Sequence, residues 1–99
     1  MEYKKLVHDV QVWGREKGLF DPKAQLNKVI EEIGEIAHEI TRNNYYDNDA
    51  LADAFGDTLV TIIILSDILN YDLFACLEAA YKEIAHRTGT TENGTFIKD

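Results

Sequence analysis

The stretch LADAFGDTLVTIIILSDIL, from Leu51 to Leu69, constrains the fold more than any other part of the chain. Its residues are apolar on nearly every side of a helix, so a helix formed here must be largely buried. The chain has 99 residues with 6 glycines and 1 proline, which leaves little material for turns and favours long helices. We therefore predict a single all-α domain spanning residues 1–99, whose bundle is completed by helices from other copies of the chain.

Apolar periodicity and capping signals predict four helices, over residues 2 to about 17, 22 to about 42, about 50 to 69, and 73 to about 87. Gly18 is a suitable residue to end the first helix, and Asp21 with Pro22 is a suitable pair to begin the second. The inner face of the fourth helix is predicted to carry Leu77, Ala80, Tyr81 and Ile84. Residues 88–99 are predicted to form an extended or irregular arm.

The overall charge limits the possible partners. A net charge of −8 argues against a nucleic-acid polymer or an anionic membrane, because both reward clustered Lys and Arg. No secretory signal is apparent, and the longest apolar run is too short to cross a bilayer. The single cysteine, Cys76, is expected to be a small core residue in a reducing compartment. These features predict a cytoplasmic protein that needs a metal ion to bind an anionic ligand.

The second predicted helix gathers acidic residues on one face. A sector of about 100° holds Lys28, Glu31, Glu32, Glu35 and Glu39. The opposite side holds Ile30, Ile33, Ile36, Ala37 and Ile40. Taken alone, this pattern is typical of a core helix with a solvated acidic face, and it also suits a metal site.

The third predicted helix favours the metal interpretation. Asp53 and Asp57 lie one turn apart, with Thr61 a turn further along the same stripe. Carboxylates in a buried helix are costly unless a cation or hydrogen bonds satisfy them. If the second and third helices pack antiparallel, four or five carboxylates face each other, which is the ligand set of a hard divalent ion such as Mg²⁺. The alternative is that Asp53 only complements the helix dipole and Asp57 touches solvent.

Two segments resemble the MazG-like all-α nucleoside triphosphate pyrophosphohydrolases. VWGREKGLF followed by AQLNKVIEEIGEIAHEI is similar to that family's tryptophan helix and Glu-Glu-x-x-Glu motif. DAFGDTLVTIIILSDILNYDLFACLEAAYKEIAHR is similar to its second acidic helix, loop and last helix. The resemblance implies hydrolysis of a (d)NTP to the monophosphate and pyrophosphate. It also implies Mg²⁺, for which Mn²⁺ can substitute, held by Glu32, Glu35 and Asp57, with Glu31 as a further ligand or a water-activating base.

The chain departs from the family pattern at one position. The family usually has Glu-x-x-Asp on the second acidic helix, and the position of that Glu is Ala54 here. Asp53 is a candidate replacement ligand, although it leaves the helix about 100° from the direction of Ala54. The departure keeps open a second hypothesis, a non-catalytic oligomerisation or regulatory module that retains the fold.

The remaining candidates concern the substrate and the assembly. Lys28, Lys82 and Arg87 are candidate contacts for phosphate oxygens, and each alternatively is a surface charge. Trp13 either packs in the core or stacks on a base. Gln25 with Asn27 either reads a base edge or lies at the surface. The apolar third helix and the family resemblance predict a homodimer or homotetramer.

Overall fold

A computed structural model describes residues 2–99 of the chain. Four helices precede a two-stranded antiparallel sheet. The elements are α1 (Tyr3–Glu16), α2 (Pro22–Thr41), α3 (Asp49–Ile68), α4 (Leu73–Ile84), β1 (Gly89–Glu92) and β2 (Thr95–Lys98). The all-α prediction is confirmed, and the ends of α1, α2 and α3 lie within one residue of their predicted positions. Helix α4 ends three residues earlier than predicted.

Local side-chain chemistry explains where the helices begin. Asp21 accepts hydrogen bonds from the backbone N–H groups of Lys23 and Ala24 and so caps α2, directly before Pro22. Asn48 and Asp72 accept equivalent bonds at the starts of α3 and α4. These caps satisfy N–H groups that have no partner inside the helix.

The loop from α1 to α2 turns at a glycine, as predicted. Gly18 has φ +76°, a left-handed conformation that costs little without a Cβ atom. The N–H of Gly18 donates to the carbonyl of Arg15, and the N–H of Leu19 donates to the carbonyl of Gly14. This pair of bonds closes the end of α1 and turns the chain toward α2.

Helices α2 and α3 pack antiparallel and form the centre of the fold. Near the start of α2, Gln25 Nε2 donates to the main-chain oxygen of Thr61 at 3.1 Å. Near its end, Glu39 accepts from Asn48 Nδ2 at 2.9 Å. The buried apolar side chains are Val29, Leu51, Ala54 and Ile64. This small core lies mainly between the two acidic helices, so packing fixes the spacing of the faces that carry their carboxylates.

Helix α1 crosses α3 closely at a glycine. Gly14 is buried, and a Cβ atom added to it would lie 3.2 Å from Ile64 Cγ1. At the next residue of α1, the Arg15 guanidinium donates two hydrogen bonds to the Asp67 carboxylate of α3. Hydrogen bonding to Asp67, aided by its charge, raises the pKa of Arg15 above the ordinary value. These two contacts fix the position of the neighbouring Trp13.

We expect the Gly14→Val variant to lose stability, because the branched side chain must displace Ile64 from a packed site. Overpacking of this kind costs about 1–3 kcal/mol in the free energy of unfolding. Urea denaturation followed by circular dichroism measures the change. The matched control is Gly34→Ala on α2, where an added Cβ meets no atom within 4 Å. Replacing a glycine inside a helix should stabilise the control by roughly 0.5–1 kcal/mol. Equal stability of Gly14→Val and wild type would contradict the close crossing.

Helix α4 does not pack as predicted. Its axis makes an angle of 106° with that of α3 across the Asn70 turn, and none of its residues is buried. Leu77 is 69% exposed and Tyr81 is 63% exposed, so the prediction of an inner face within this chain is wrong. Cys76 is also exposed rather than in the core. The sharp turn carries the apolar face of α4 away from the α2–α3 core.

Parts of α2 and α3 also present apolar side chains to solvent. On α2 the exposed residues include Leu26, Ile30, Ile33 and Ile40, and on α3 they include Phe55 and Leu59. The isoleucine face of α2 therefore does not pack on α3, and the prediction that α3 is largely buried holds for only one of its sides. Among residues 2–99, no single helix is long and apolar enough to cross a membrane; only the bent pair α3 and α4 passes that test together.

The C-terminal arm is a β-hairpin. Strand β1 pairs with β2 in antiparallel register, from Gly89 opposite Lys98 to Glu92 opposite Thr95. The two-residue turn is formed by Asn93 and Gly94, both with positive φ. Asn-Gly is the preferred pair for such a turn, because both residues tolerate the left-handed region. The arm is thus extended, as one of the predicted alternatives had it. The pairing of its two halves as strands was not predicted.

Candidate active site

A cleft of about 640 Å³ opens between α1, the following loop, α2 and α3. Its apolar lining includes Trp13, Leu19, Phe20, Val60 and Ile64. Its polar lining includes Gln25, Lys28, Glu32, Asp57 and Thr61. The volume lies within the range of small-molecule sites, and the combination of apolar walls with a few convergent polar groups is typical of them.

Two predicted metal ligands meet in this cleft. Glu32 reaches it from α2 and is half-buried, while Asp57 reaches it from α3 and is exposed. Lys28 also lines the cleft, and its ammonium lies 3.4 Å from the carboxylate of Glu31 on the same helix. The cleft is thus lined by three acidic residues and one cation, and the third acidic residue is Asp21, which caps α2.

Glu35 and Asp53 extend the two walls beyond the enclosed part of the cleft. Both side chains are exposed. Glu35 lies seven residues after Lys28, which is nearly two full turns, and Asp53 lies one turn before Asp57. Because α2 and α3 are antiparallel, with Gln25 bonded to Thr61, Asp53 is level with the segment between Glu32 and Glu35. The four carboxylates, of Glu32, Glu35, Asp53 and Asp57, thus lie at similar levels along the two helices.

These four side chains suit a hard divalent ion by their chemistry. Among residues 2–99, no Lys, Arg or His forms an ion pair with Glu32, Glu35, Asp53 or Asp57. Carboxylate oxygens without a cationic partner are the ligands that Mg²⁺ prefers. Within the same residues, no three His, Cys, Asp or Glu side chains are gathered closely enough to hold a metal. The donor type fits Mg²⁺, and the side chains would have to converge to bind it.

The aromatic candidate lies on the cleft wall. Trp13 is 49% exposed and borders the cleft, so it is available to a ligand rather than enclosed in the core. The Lys17 ammonium lies 6.0 Å from the centre of the Trp13 ring, on the helix end that carries both residues. The indole face is therefore held at the rim, where a planar group entering the cleft can stack on it.

The two late cations lie elsewhere in this chain. Lys82 pairs with Glu78 at 2.9 Å, and Arg87 pairs with Glu83 at 2.9 Å. Neither cation lines the cleft. A phosphate-binding role for Lys82 and Arg87 stays a prediction, and it would require α4 of another copy to approach the site.

Sequence reasoning left out several residues that line the cleft. Val60 and Ile64 follow Asp57 at intervals of three and four residues, so their shared stripe on α3 was a usable signal. Gln25 was among the candidates, and the alternative that it lies at the surface is wrong, because it is 6% exposed. Its burial depends on the Thr61 carbonyl 36 positions away, and no local pattern reveals that contact.

Known proteins share this sequence pattern and fold. The family model for the MazG nucleotide pyrophosphohydrolase domain matches residues 20–91. Protein YpjD of Bacillus subtilis (strain 168) is 27% identical over 91 residues, covering 83% of this chain and 77% of YpjD. An 18.2 kDa protein in the rep-hol intergenic region of Haemophilus phage HP1 (strain HP1c1) is 26% identical over 68 residues, covering 66% of this chain and 40% of that protein. The crystal structure of the Bacillus-conserved MazG protein, a nucleotide pyrophosphohydrolase, has the same fold, with a TM-score of 0.73, 23% identity, and coverage of 96% of this chain and 97% of that one.

Proposed function

Because the chain belongs to the MazG family and is a nucleotide pyrophosphohydrolase, which acts on phosphoric anhydride bonds, we propose that its substrate is a nucleoside or deoxynucleoside triphosphate. The products are the monophosphate and pyrophosphate. One observation carries the proposal: a single cleft joins the carboxylates of Glu32 and Asp57 to the aromatic wall of Trp13. A triphosphate with its metal fits the first part, and a planar base fits the second.

The carboxylates at the cleft would repel a triphosphate, so the proposed substrate needs a metal cation to bind. The protein carries net charge −8, so it repels a bare triphosphate. We assign Glu32, Glu35 and Asp57 to hold Mg²⁺. Asp53 is assigned as the replacement ligand, because Ala54 occupies the position where the family usually has a glutamate. When bound, the ion neutralises phosphate charge and polarises the attacking water. Members of the family are generally divalent-metal dependent.

The chain's own residues supply the remaining steps. Lys28 lines the cleft, and we assign its ammonium to contact the phosphate oxygens of the substrate. Glu31, one turn from Glu35 on the same helix, accepts a proton from the attacking water. As the water oxygen bonds to phosphorus, the phosphoric anhydride bond breaks and pyrophosphate leaves with the electron pair of that bond. Trp13 and the apolar wall orient the base and exclude water from one side of it.

The direct test is release of pyrophosphate from a panel of NTPs and dNTPs, with and without Mg²⁺. We expect release from at least one nucleotide, dependent on Mg²⁺ and reproduced in part by Mn²⁺. Monophosphate must appear in equal amount, because orthophosphate release would indicate a different bond. Nucleotide binding without any hydrolysis would instead favour a regulatory module that retains the fold.

Substitution of Asp53 tests the proposed metal site at its most unusual position. We expect Asp53→Asn to weaken Mn²⁺ binding about as much as Asp57→Asn, because Asp53 lies one turn before Asp57 on α3 and level with the segment of α2 between Glu32 and Glu35. Ala54 is 4% exposed, so a glutamate restored there must enter the packed contact between α2 and α3. Calorimetric titration of Mn²⁺ into the variants measures the affinities. Unchanged affinity in Asp53→Asn would exclude Asp53 as a metal ligand. The helix-dipole alternative does not apply, because α3 begins at Asp49 and Asp53 lies beyond its first turn.

The exposed apolar faces support the proposal that the chain works as a homodimer or a dimer of dimers. Helix α4 exposes Phe74, Leu77, Tyr81 and Ile84. Helix α2 exposes the leucine and isoleucine side chains described above. Contiguous apolar surface of this kind marks an interface. A second copy is the occupant we propose, because the same apolar faces recur in every copy and a two-fold axis can pair them.

We also propose the cytoplasm as the compartment, since the exposed thiol of Cys76 persists in a reducing environment.

A further inference from the structure

The end of the cleft that Gln25 lines contains a buried amide whose orientation is fixed by the fold. Gln25 is 6% exposed, and its Nε2 donates to the main-chain oxygen of Thr61 at 3.1 Å. A carbonyl oxygen can only accept, so the amide nitrogen must face Thr61 and the amide oxygen must face away. A flipped amide would place Gln25 Oε1 against the Thr61 carbonyl oxygen, and the hydrogen bond between Gln25 and Thr61 would be lost. The contact therefore sets which end of the amide is free.

The free end of this amide faces the cleft. Within residues 2–99, Gln25 Oε1 accepts no hydrogen bond, and no enclosed side-chain oxygen or nitrogen lacks a partner. Oε1 must therefore reach an accessible surface, and Gln25 lines the cleft. The neighbouring hydroxyl of Thr61 does not compete for it, because that hydroxyl donates to the carbonyl of Thr58 at 2.7 Å. The cleft that holds this unpartnered acceptor is also lined by the apolar side chains of Trp13, Val60 and Ile64.

We propose that Gln25 Oε1 is a specificity determinant that accepts a hydrogen bond from the exocyclic amino group of a nucleobase. The inference rests on the proposed function, since it assumes that the base enters this end of the cleft. Cytosine N4 and adenine N6 each carry such a donor. Their deaminated counterparts, uracil and hypoxanthine, present an oxygen at the same position. That oxygen would face Oε1 without a proton between them, so the enzyme should prefer the amino base.

The expected preference is large enough to measure. A ligand that leaves a buried polar group of the site unpaired is strongly disfavoured, and one hydrogen bond of this kind changes kcat/KM by about tenfold or more. The cleanest comparison uses wild-type protein and two substrate pairs, dCTP with dUTP and dATP with dITP. Each pair differs at the base position that Gln25 is proposed to read. We expect the amino member to be favoured in both pairs by about tenfold.

Substitution of Gln25 tests whether this residue causes the preference. Gln25→Met keeps the length of the side chain and removes both polar atoms, so the amino-to-oxo ratio should fall to about one. Gln25→Leu serves as a second variant, and circular dichroism checks that each folds. The matched control is Asn27→Ala, which removes an exposed amide outside the lining of the cleft and should keep the wild-type ratio. A wild type without preference, or a preference that survives in Gln25→Met, would overturn the inference.

A binding measurement separates failure of this inference from failure of the proposed function. Calorimetry with α,β-methylene dCTP and α,β-methylene dUTP in the presence of Mg²⁺ reports recognition without hydrolysis. Discrimination in binding, with no pyrophosphate released from any nucleotide, would support Gln25 as the reader and refute the hydrolytic proposal. Hydrolysis without discrimination would refute the role of Gln25 and leave the hydrolase intact. Absence of both binding and hydrolysis would refute the two together.

Discussion

Glu32→Gln and Asp57→Asn should each lower the rate of pyrophosphate release by about 10³-fold or more. A metal ion contributes several kcal/mol of transition-state stabilisation, and each 1.36 kcal/mol is a factor of ten. These two carboxylates are the proposed ligands that line the same cleft, so neither can compensate for loss of the other. Glu35→Gln is expected to behave in the same way if the exposed Glu35 side chain turns toward the ion on binding.

The same variants should not destabilise the metal-free protein. Each replaces an anion with a neutral isostere in a chain of net charge −8, which relieves repulsion among the carboxylates of α2 and α3. Mg²⁺ at 100 times its Kd should stabilise wild type by about 2.7 kcal/mol and should stabilise Glu32→Gln and Asp57→Asn far less. Thermal unfolding with and without Mg²⁺ measures the difference.

The control for these variants is Glu16→Gln, which removes one exposed negative charge from α1 outside the cleft. It should keep both the hydrolytic rate and the response to Mg²⁺. If Asp57→Asn retains the Mg²⁺-dependent rise in stability while losing activity, then Asp57 acts in catalysis without holding the ion. If wild type itself shows no response to Mg²⁺ or Mn²⁺, the metal-dependent mechanism is wrong.

The helix starts were predictable because their determinants are local. Asp21, Asn48 and Asp72 each accept from backbone N–H groups two or three positions ahead, so the capping residue and its helix lie in one short window. The end of α4 had no such marker. The helix stops at Ile84 because the chain must enter the hairpin, where Thr88 bonds to Asp99 through side chain and backbone. That closure links positions 11 residues apart and is invisible to helical periodicity.

The orientation of α2 was only partly predictable. Hydrophobic periodicity identified its isoleucine stripe but could not say which surface that stripe contacts. Against α3 the helix buries Gln25 and Val29, with Glu32 half-buried, while Ile30 is 58% exposed. An apolar stripe in a sequence has the same appearance whether it packs within its own chain or against another chain. The expected cost of buried carboxylates on α3 was wrong, because Asp53 and Asp57 are exposed. The antiparallel packing of α2 and α3 could nevertheless be predicted, because a short connection joins two consecutive helices.

The roles of the candidate site residues stay predictions, although their positions can be compared with the structure. Glu32, Asp57, Lys28 and Trp13 line one cleft, and Glu31, Glu35 and Asp53 do not line it. The selection of these residues relied on a motif at helical spacing together with a family resemblance. The position of Gln25 depended on a single hydrogen bond between α2 and α3, which exists only after the helices have packed. Contacts of this type follow from tertiary structure and leave no periodic trace in the sequence.

A glutamate placed on the exposed face of α4 should prevent association of the chains. Leu77 is 69% exposed in the single chain, and burying a leucine against a second copy contributes about 1.5–3 kcal/mol. Leu77→Glu forfeits that contribution and also places an unpaired charge in the contact, so the dissociation constant should rise by at least about 100-fold. Light scattering across a concentration series measures the change, with wild type at twice or four times the mass of one chain.

The matched control for Leu77→Glu is Tyr46→Glu, which places the same charge on an 85% exposed aromatic residue in the loop between α2 and α3. Tyr46→Glu should keep the oligomeric mass of wild type. Loss of assembly in both variants would show that added negative charge, rather than the α4 face, governs association in this acidic chain. Monomeric wild type at micromolar concentration would exclude the assembly itself. Loss of assembly in Leu77→Glu alone places α4 at the interface, because the two variants differ only in where the charge lies.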